Sequence, residues 1–146
     1  MWTDLALADS NVLVHAFYEE AEHYLACRGL LERAQRGVVA LCVAPQNLAE
    51  FYAVITNPRR VTKPRGAAEA AQAVARILAM LGISILQVPD DIVTRWLALV
   101  KRCPTTGPGI FDLQLAATML ACSVRRICTY NGADFRRFPE IEVLEP

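Results

Sequence analysis

The sequence has few of the patterns that build zinc sites or disulfide frameworks. It carries two histidines and five widely spaced cysteines in 146 residues. No Cys-x-x-Cys pair is present for either histidine to complete. We therefore expect no structural zinc site, and we interpret the cysteines as buried, reduced thiols.

Long apolar runs are also missing. The apolar stretches are interrupted every few residues by charge or glycine, and none approaches the roughly 20 residues of a membrane-spanning helix. Asp4 precedes the first apolar run and no basic segment does, so the beginning of the chain does not resemble a signal peptide. We expect a cytoplasmic protein that does not contact a membrane.

The chain has no net charge, because 15 Lys and Arg balance 15 Asp and Glu. Proteins that bind nucleic acid over a large surface usually show a basic excess, so the total argues mildly against that class. The bases are nonetheless unevenly placed. Those that could contact nucleic acid are Arg59, Arg60, Lys63, Arg65, Arg136 and Arg137. An ordinary role at solvated helix ends and loops is an equally good interpretation.

Apolar residues are abundant, at 54% against 21% charged, which is typical of a packed globular protein. We predict one domain, residues 1–146. Short apolar runs predict buried strands at 5–9, 38–43, 83–88 and 126–129, with an edge strand at 142–144. Helical spacing and stop signals predict helices at 12–36 (with a break near Glu19), 45–57, 67–81, 89–102 and 110–122. This alternation favours an α/β fold, a three-layer α/β/α sandwich around a mostly parallel sheet of four to five strands.

Four carboxylates are candidates for one acidic pocket: Asp9, Glu50, Asp112 and Asp134. Asp9 ends the first strand and Asp134 follows the fourth, which places both at the sheet edge where ligands bind. Asp112 shares a helix face with apolar residues, where a carboxylate needs a partner or a metal ion. Glu50 lies opposite an apolar stripe and is the least informative of the four.

Each acid also has an ordinary structural interpretation. Asp9 and Asp112 could cap helices, although Ser10 or Asn11 is the expected cap of the first helix. Glu50 could be a solvated helix acid, and Asp134 follows an Asn-Gly pair and could belong to a turn.

Four ionised carboxylates in one pocket would repel each other. At about 5 Å and an effective dielectric near 20, each pair costs roughly 3 kcal/mol. Raised pKa values or a bound cation relieve that cost. Ligands that are all oxygen favour Mg²⁺ or Mn²⁺ over zinc. Such an ion activates water and steadies phosphoryl charge, which points to phosphodiester hydrolysis.

Four stretches around these acids resemble the PIN-domain family, and most closely its VapC-type toxins of bacterial and archaeal toxin–antitoxin pairs. They are LADSNVL at 7–13, NLAEF at 47–51, IFDLQLAA at 110–117 and TYNGADF at 129–135. The resemblance implies a Mg²⁺-dependent ribonuclease whose metal ligands are the four acids, with Asn11, Thr129 and Asn131 beside them. It also implies a homodimer that is silenced by a VapB-type antitoxin.

The chain departs from that family pattern at one place. Many relatives carry a basic or polar residue shortly before the third acid, whereas residues 105–109 of this chain are Thr-Thr-Gly-Pro-Gly. RNA contact would then fall to the basic residues at 59–65 or to Arg136 and Arg137.

Two other functions remain open from the sequence. The first is a non-catalytic PIN-like module that binds RNA or protein, although the presence of all four acids disfavours it. The second is phosphotransfer on an open α/β sheet. Haloacid-dehalogenase-like phosphatases need a second Asp where Asn11 stands, and receiver domains need a Lys after a strand, unlike Lys63 and Lys101.

Overall fold

The strands form one parallel sheet. The computed structural model describes residues 4–146, and in that range five strands pair in the order β3-β2-β1-β4-β5. They are β1 (Ala6–Ala8), β2 (Leu41–Val43), β3 (Ile83–Ile85), β4 (Arg126–Cys128) and β5 (Glu142–Leu144). The chain moves outward from β1 to β3 and then returns to the other side of β1. The strand order therefore reverses between β1 and β4, which is where such sheets bind ligands.

Helices cover both faces of the sheet, which confirms the predicted α/β class and its three layers. Within the described range they are α1 (Ser10–Phe17), α2 (Tyr24–Gln35), α3 (Pro45–Ile55), α4 (Ala67–Leu78), α5 (Ile92–Arg102) and α6 (Gly109–Ala121). A single 3₁₀ turn spans Gly132–Asp134.

Two apolar cores lie on the two faces of the sheet. Ala6 and Ala8 of β1 pack with α1 to α4, whereas Leu7 between them packs with α5 and α6. This is the alternation of side chains along a strand. Because both faces are covered, the central strand β1 and its neighbour β2 are apolar along their whole length, as predicted.

The break predicted near Glu19 is confirmed, because residues 18–23 separate α1 from α2. The strand predicted at 38–43 begins later, at Leu41, because the first of these residues complete the end of α2. Gly37 adopts φ +72°, its N–H donates to the Ala34 carbonyl, and the N–H of Val38 donates to the Arg33 carbonyl at 2.8 Å. This closure of the helix end satisfies the Val38 N–H away from the sheet, so pairing begins later.

Asp9 caps α1 in place of the expected Ser10 or Asn11. Its carboxylate Oδ1 accepts from the Ser10 N–H at 2.8 Å, and Ser10 is already helical. The turn expected at Asn131-Gly132 is the start of the 3₁₀ turn, because the Asp134 N–H donates to the Asn131 carbonyl at 3.1 Å. Across residues 4–146, every helix is too short or too polar to span a bilayer.

Candidate active site

The four predicted acids lie at the carboxyl ends of the central strands. Asp9 follows β1, Glu50 lies on the helix after β2, Asp112 lies in the first turn of α6, and Asp134 ends the 3₁₀ turn after β4. Burial and then the charges of Asp134, Asp9 and Glu50 raise the pKa of Asp112 to about 6. Residues that are far apart in sequence therefore share one electrostatic site.

Asp9 is the buried anchor of this site, with 6% of its surface exposed. Oδ1 accepts from the Ser10 N–H at 2.8 Å and from Asn47 Nδ2 at 3.3 Å. Oδ2 accepts from Thr129 Oγ1 at 2.9 Å and from Asn11 Nδ2 at 3.2 Å. These four donors match the approximately four acceptor positions of a carboxylate. Burial raises the pKa of Asp9, and the Thr129 hydrogen bond acts in the opposite direction.

The structure places the three predicted neighbours of the acids around Asp9 in unequal roles. Thr129 is fully buried and accepts from Asn11 Nδ2 and from the Asn131 N–H, both at 3.0 Å, while it donates to Asp9. Asn11 Oδ1 accepts from the Tyr130 N–H at 3.2 Å, which fixes the chain after β4. Asn131 contributes a backbone N–H to this network and is itself exposed.

Two side chains of α3 complete the site and were not predicted. Asn47 is fully buried and joins Asp9 to the start of α3, since its Oδ1 also accepts from the Ala44 N–H at 2.8 Å. Gln46 Nε2 donates to Glu50 Oε1 at 3.0 Å and to the Phe111 carbonyl at 2.9 Å. The sequence contains only weak indications of these roles. Gln46 and Glu50 stand four residues apart on one helix, and the side chain of the third helical residue, here Asn47, often bonds to the backbone at the helix start.

Glu50 is held from both sides. Ser10 Oγ donates to its Oε2 at 3.0 Å, and Gln46 donates to Oε1. Because Gln46 also bonds the first turn of α6, it links the helix that carries Glu50 to the helix that carries Asp112. The relative position of these two acids is therefore fixed by hydrogen bonds and not by apolar packing alone.

Arg137 brings a guanidinium to residues 105–109, which contain no base of their own. Its Nη1 donates to Thr105 Oγ1 at 2.6 Å, its Nη2 to the Gly109 carbonyl at 3.3 Å, and its Nε to the Asp134 carbonyl at 3.3 Å. Its charge also opposes the rise in the pKa of Asp112. The guanidinium of a residue that follows Asp134 thus reaches the segment that precedes Asp112. The spacing of these residues in the sequence could not show this contact.

The predicted basic segment 59–65 reaches the other end of α1 from Asp9, where the Lys63 carbonyl accepts from the Tyr18 hydroxyl at 2.9 Å. That helix has eight residues, so the separation along it is about 12 Å. Arg59, Arg60 and Lys63 are exposed. Arg65 is engaged within the chain, because its guanidinium lies 5.3 Å from the Phe17 ring and 5.2 Å from the Tyr18 ring.

Arg136 packs against the 3₁₀ turn. Its guanidinium lies over Gly132, where an added Cβ would stand only 2.9 Å from Nη2. The same Cβ would stand 2.9 Å from Val143 Cγ1, so glycine fits the narrow space between Arg136 and β5. Contact of any of the six bases with RNA stays a prediction.

The donor set fits a hard divalent cation by its chemistry. All four side chains offer oxygen, and Glu50, Asp112 and Asp134 retain access to solvent. Within residues 4–146, no three His, Cys, Asp or Glu side chains stand close enough together to hold a metal ion as they are placed, so the acids would have to move toward a bound cation. The longest bonds to Asp9, from the amides of Asn11 and Asn47, are the ones that a cation would displace most readily.

Comparison with known proteins agrees with the resemblance seen in the sequence. The family model of the PIN domain matches residues 6–141. Ribonuclease VapC43 of Mycobacterium tuberculosis is 33% identical over 133 residues, which is 88% of each chain.

Two solved structures share the fold. The crystal structure of VapC20 of Mycobacterium tuberculosis, a toxin that cleaves the sarcin–ricin loop, aligns with a TM-score of 0.71 at 12% identity, covering 98% of this chain and 100% of that one. VapBC2 of Rickettsia felis, bound to a DNA fragment of its promoter, aligns with a TM-score of 0.65 at 14% identity, covering 97% and 98%. At these identities the two structures support the fold alone.

Proposed function

The chain belongs to the PIN-domain family as a ribonuclease of the VapC type, and from this premise we propose that Asp9, Glu50, Asp112 and Asp134 hold Mg²⁺ or Mn²⁺ for hydrolysis of RNA. One observation carries the proposal: burial and the charges of the other three carboxylates raise the pKa of Asp112 to about 6. Negative charge concentrated in this way requires either protons or a cation. A divalent ion is the occupant that also serves phosphodiester hydrolysis.

The bound ion would lower the pKa of a water ligand and stabilise charge on the phosphoryl group. The chain's own residues would hold the ligands of that ion in fixed orientations. Asp9 is held by four donors, and Glu50 is held by Ser10 and Gln46. Ligands oriented in this way by surrounding hydrogen bonds bind metal better than freely rotating ones.

The six predicted bases differ in how well the structure supports RNA contact. Arg59, Arg60 and Lys63 are exposed and available to phosphates, although they lie about one helix length from Asp9. Arg65, Arg136 and Arg137 already contact their own chain. We propose that Arg137 is the base closest to the reaction, because its charge acts on Asp112.

We further propose that the chain is a single domain, residues 1–146, that it acts in the cytoplasm as a homodimer, and that a VapB-type antitoxin silences it. The family match over residues 6–141 supports one domain. The likeness to VapBC2 of Rickettsia felis supports a toxin–antitoxin partner. Co-expression with the product of a small neighbouring reading frame, followed by co-purification, tests the partner. Light scattering of the isolated chain tests the dimer.

Asp9→Asn tests the metal site. The amide keeps the shape of the carboxylate and loses its charge, so we expect the rate of Mg²⁺-dependent RNA cleavage to fall by at least about 100-fold, since loss of a supporting partner alone costs roughly 10–100-fold. The matched control is Asp90→Asn, an exposed acid outside the site, which should cleave like wild type. The assay follows fluorescent RNA on a denaturing gel with Mg²⁺, Mn²⁺ or EDTA.

Two outcomes of this assay would contradict the proposal. The first is full activity of Asp9→Asn, and the second is wild-type cleavage that EDTA does not inhibit. A wild-type protein that binds RNA and leaves it intact with either ion would support the non-catalytic module that the sequence left open.

A further inference from the structure

Phe111 carries an exposed aromatic side chain. Within residues 4–146 it is the only Phe, Tyr or Trp that falls among the exposed residues, with 59% of its surface accessible. The other aromatic side chains in that range are buried or half-buried. With more than half of its surface in water, the Phe111 side chain contributes less to the packing of its own chain than a buried ring does, and its exposed surface is available to a ligand.

The backbone of Phe111 is fixed beside the acids. It directly precedes Asp112 in the first turn of α6, and its carbonyl accepts from Gln46 Nε2 at 2.9 Å. The same Gln46 amide donates to Glu50 at 3.0 Å. The ring is therefore carried by a rigid helical turn whose position is tied to two of the four acids.

A cation lies on the same helical turn. Arg137 Nη2 donates to the Gly109 carbonyl, two residues before Phe111. An exposed aromatic side chain and a guanidinium thus lie at the same helical turn as Asp112. Proteins hold single-stranded RNA with this combination, in which bases stack on aromatic rings and cations follow the phosphates.

We propose that Phe111 stacks on an unpaired nucleobase next to the phosphodiester that is cleaved. This inference rests on the proposed ribonuclease function and assigns to Phe111 the contact with the base beside the cut. A base within a duplex is stacked on its neighbours and offers no free face. Phe111 acts as a positioning residue, since the acids carry the chemistry.

Binding of single-stranded RNA measures this role apart from cleavage. Fluorescence anisotropy of a labelled oligoadenylate, with Ca²⁺ in place of Mg²⁺ and intact RNA verified on a gel, should show about tenfold weaker binding by Phe111→Ala. Phe111→Leu, which keeps an apolar side chain, should lose a similar factor. Phe111→Trp should bind like wild type, and its added indole fluorescence should be quenched by the RNA. Val93→Ala, at another exposed apolar residue, is the matched control and should bind like wild type.

A comparison of oligoadenylate with an oligouridylate of equal length gives a second measurement, because purines stack more strongly. We expect wild type to prefer oligoadenylate and Phe111→Ala to lose that preference.

Wild-type affinity in Phe111→Ala, from a protein that still cleaves RNA, overturns the stacking role and leaves the proposed function standing. If Phe111→Ala instead changes only the oligomer mass, the ring belongs to a protein interface and the stacking role is wrong. If wild type neither binds nor cleaves RNA, both proposals fail.

Discussion

Asp112→Asn is expected to abolish RNA cleavage and, near neutral pH without divalent cations, to stabilise the folded protein. Burial and the charges of Asp134, Asp9 and Glu50 raise the pKa of Asp112 from an ordinary value of 3.8 to about 6. An uncharged amide of the same shape removes both the cost of burying a charge and the repulsion from the three other carboxylates. A residue of the proposed metal site is thus one that stability alone would replace.

The sign of the pH dependence follows from proton binding. Between about pH 4 and pH 6 the folded state holds a proton on Asp112 that the unfolded chain has released, so stability falls as the pH rises through this range. Above about pH 6 the loss is complete. Because Asp112 is only partly buried, solvent screening reduces the full linkage, and we expect Asp112→Asn to gain about 1–2 kcal/mol near pH 7.

Urea denaturation in EDTA, near pH 4 and near pH 7, measures this effect. The variant should match wild type at the lower pH and exceed it at the higher one. Added Mg²⁺ should reverse the order, because wild type gains binding energy that the variant lacks. Asp90→Asn should change nothing in either condition. A variant less stable than wild type near pH 7 in EDTA would show instead that hydrogen bonds or cations of the chain satisfy the Asp112 charge.

The order of helices and strands could be predicted because a sheet covered on both faces leaves short apolar runs in the sequence. Leu7 packs on one side of the sheet while Ala6 and Ala8 pack on the other, so β1 is apolar throughout. The position of Asp9 at the end of such a run then follows from chain direction. Local sequence predicted one sheet edge for Asp9 and Asp134, and the family resemblance of the four stretches supported one pocket.

The residues that orient the acids could not be predicted in the same way. Gln46 resembles an ordinary helix residue until its amide is seen to reach the Phe111 carbonyl, 65 positions later. Arg137 likewise reaches Thr105, 32 positions earlier. A side chain that closes a long loop leaves no local periodicity, because its partner is set by the fold. The end of α2 is a smaller example. Val38 is a residue type that favours strands, yet its N–H donates to the Arg33 carbonyl of the helix.

Asn47→Asp is the smallest substitution that we expect to disrupt the support of Asp9. Asn47 Nδ2 donates to Asp9 Oδ1 at 3.3 Å, and its Oδ1 accepts from the Ala44 N–H. The aspartate keeps the second bond and replaces the first with two carboxylate oxygens facing each other in a buried setting. Leaving a buried charge without its partner costs about 3–5 kcal/mol, and we expect a loss of that size in urea denaturation near pH 7.

The pH profile distinguishes this repulsion from simple loss of packing. Two facing carboxylates share a proton, so the folded pKa of the pair exceeds the unfolded value and the lost stability should return as the pH falls toward about 4. Asn57→Asp is the matched control, because the Asn57 side chain accepts from the Arg59 N–H at 2.9 Å, a bond that aspartate keeps, and its cost should stay within about 0.5 kcal/mol. A pH-independent loss in Asn47→Asp would indicate a packing defect. A loss below about 1 kcal/mol near pH 7 would mean that Asn47 does not support an ionised Asp9.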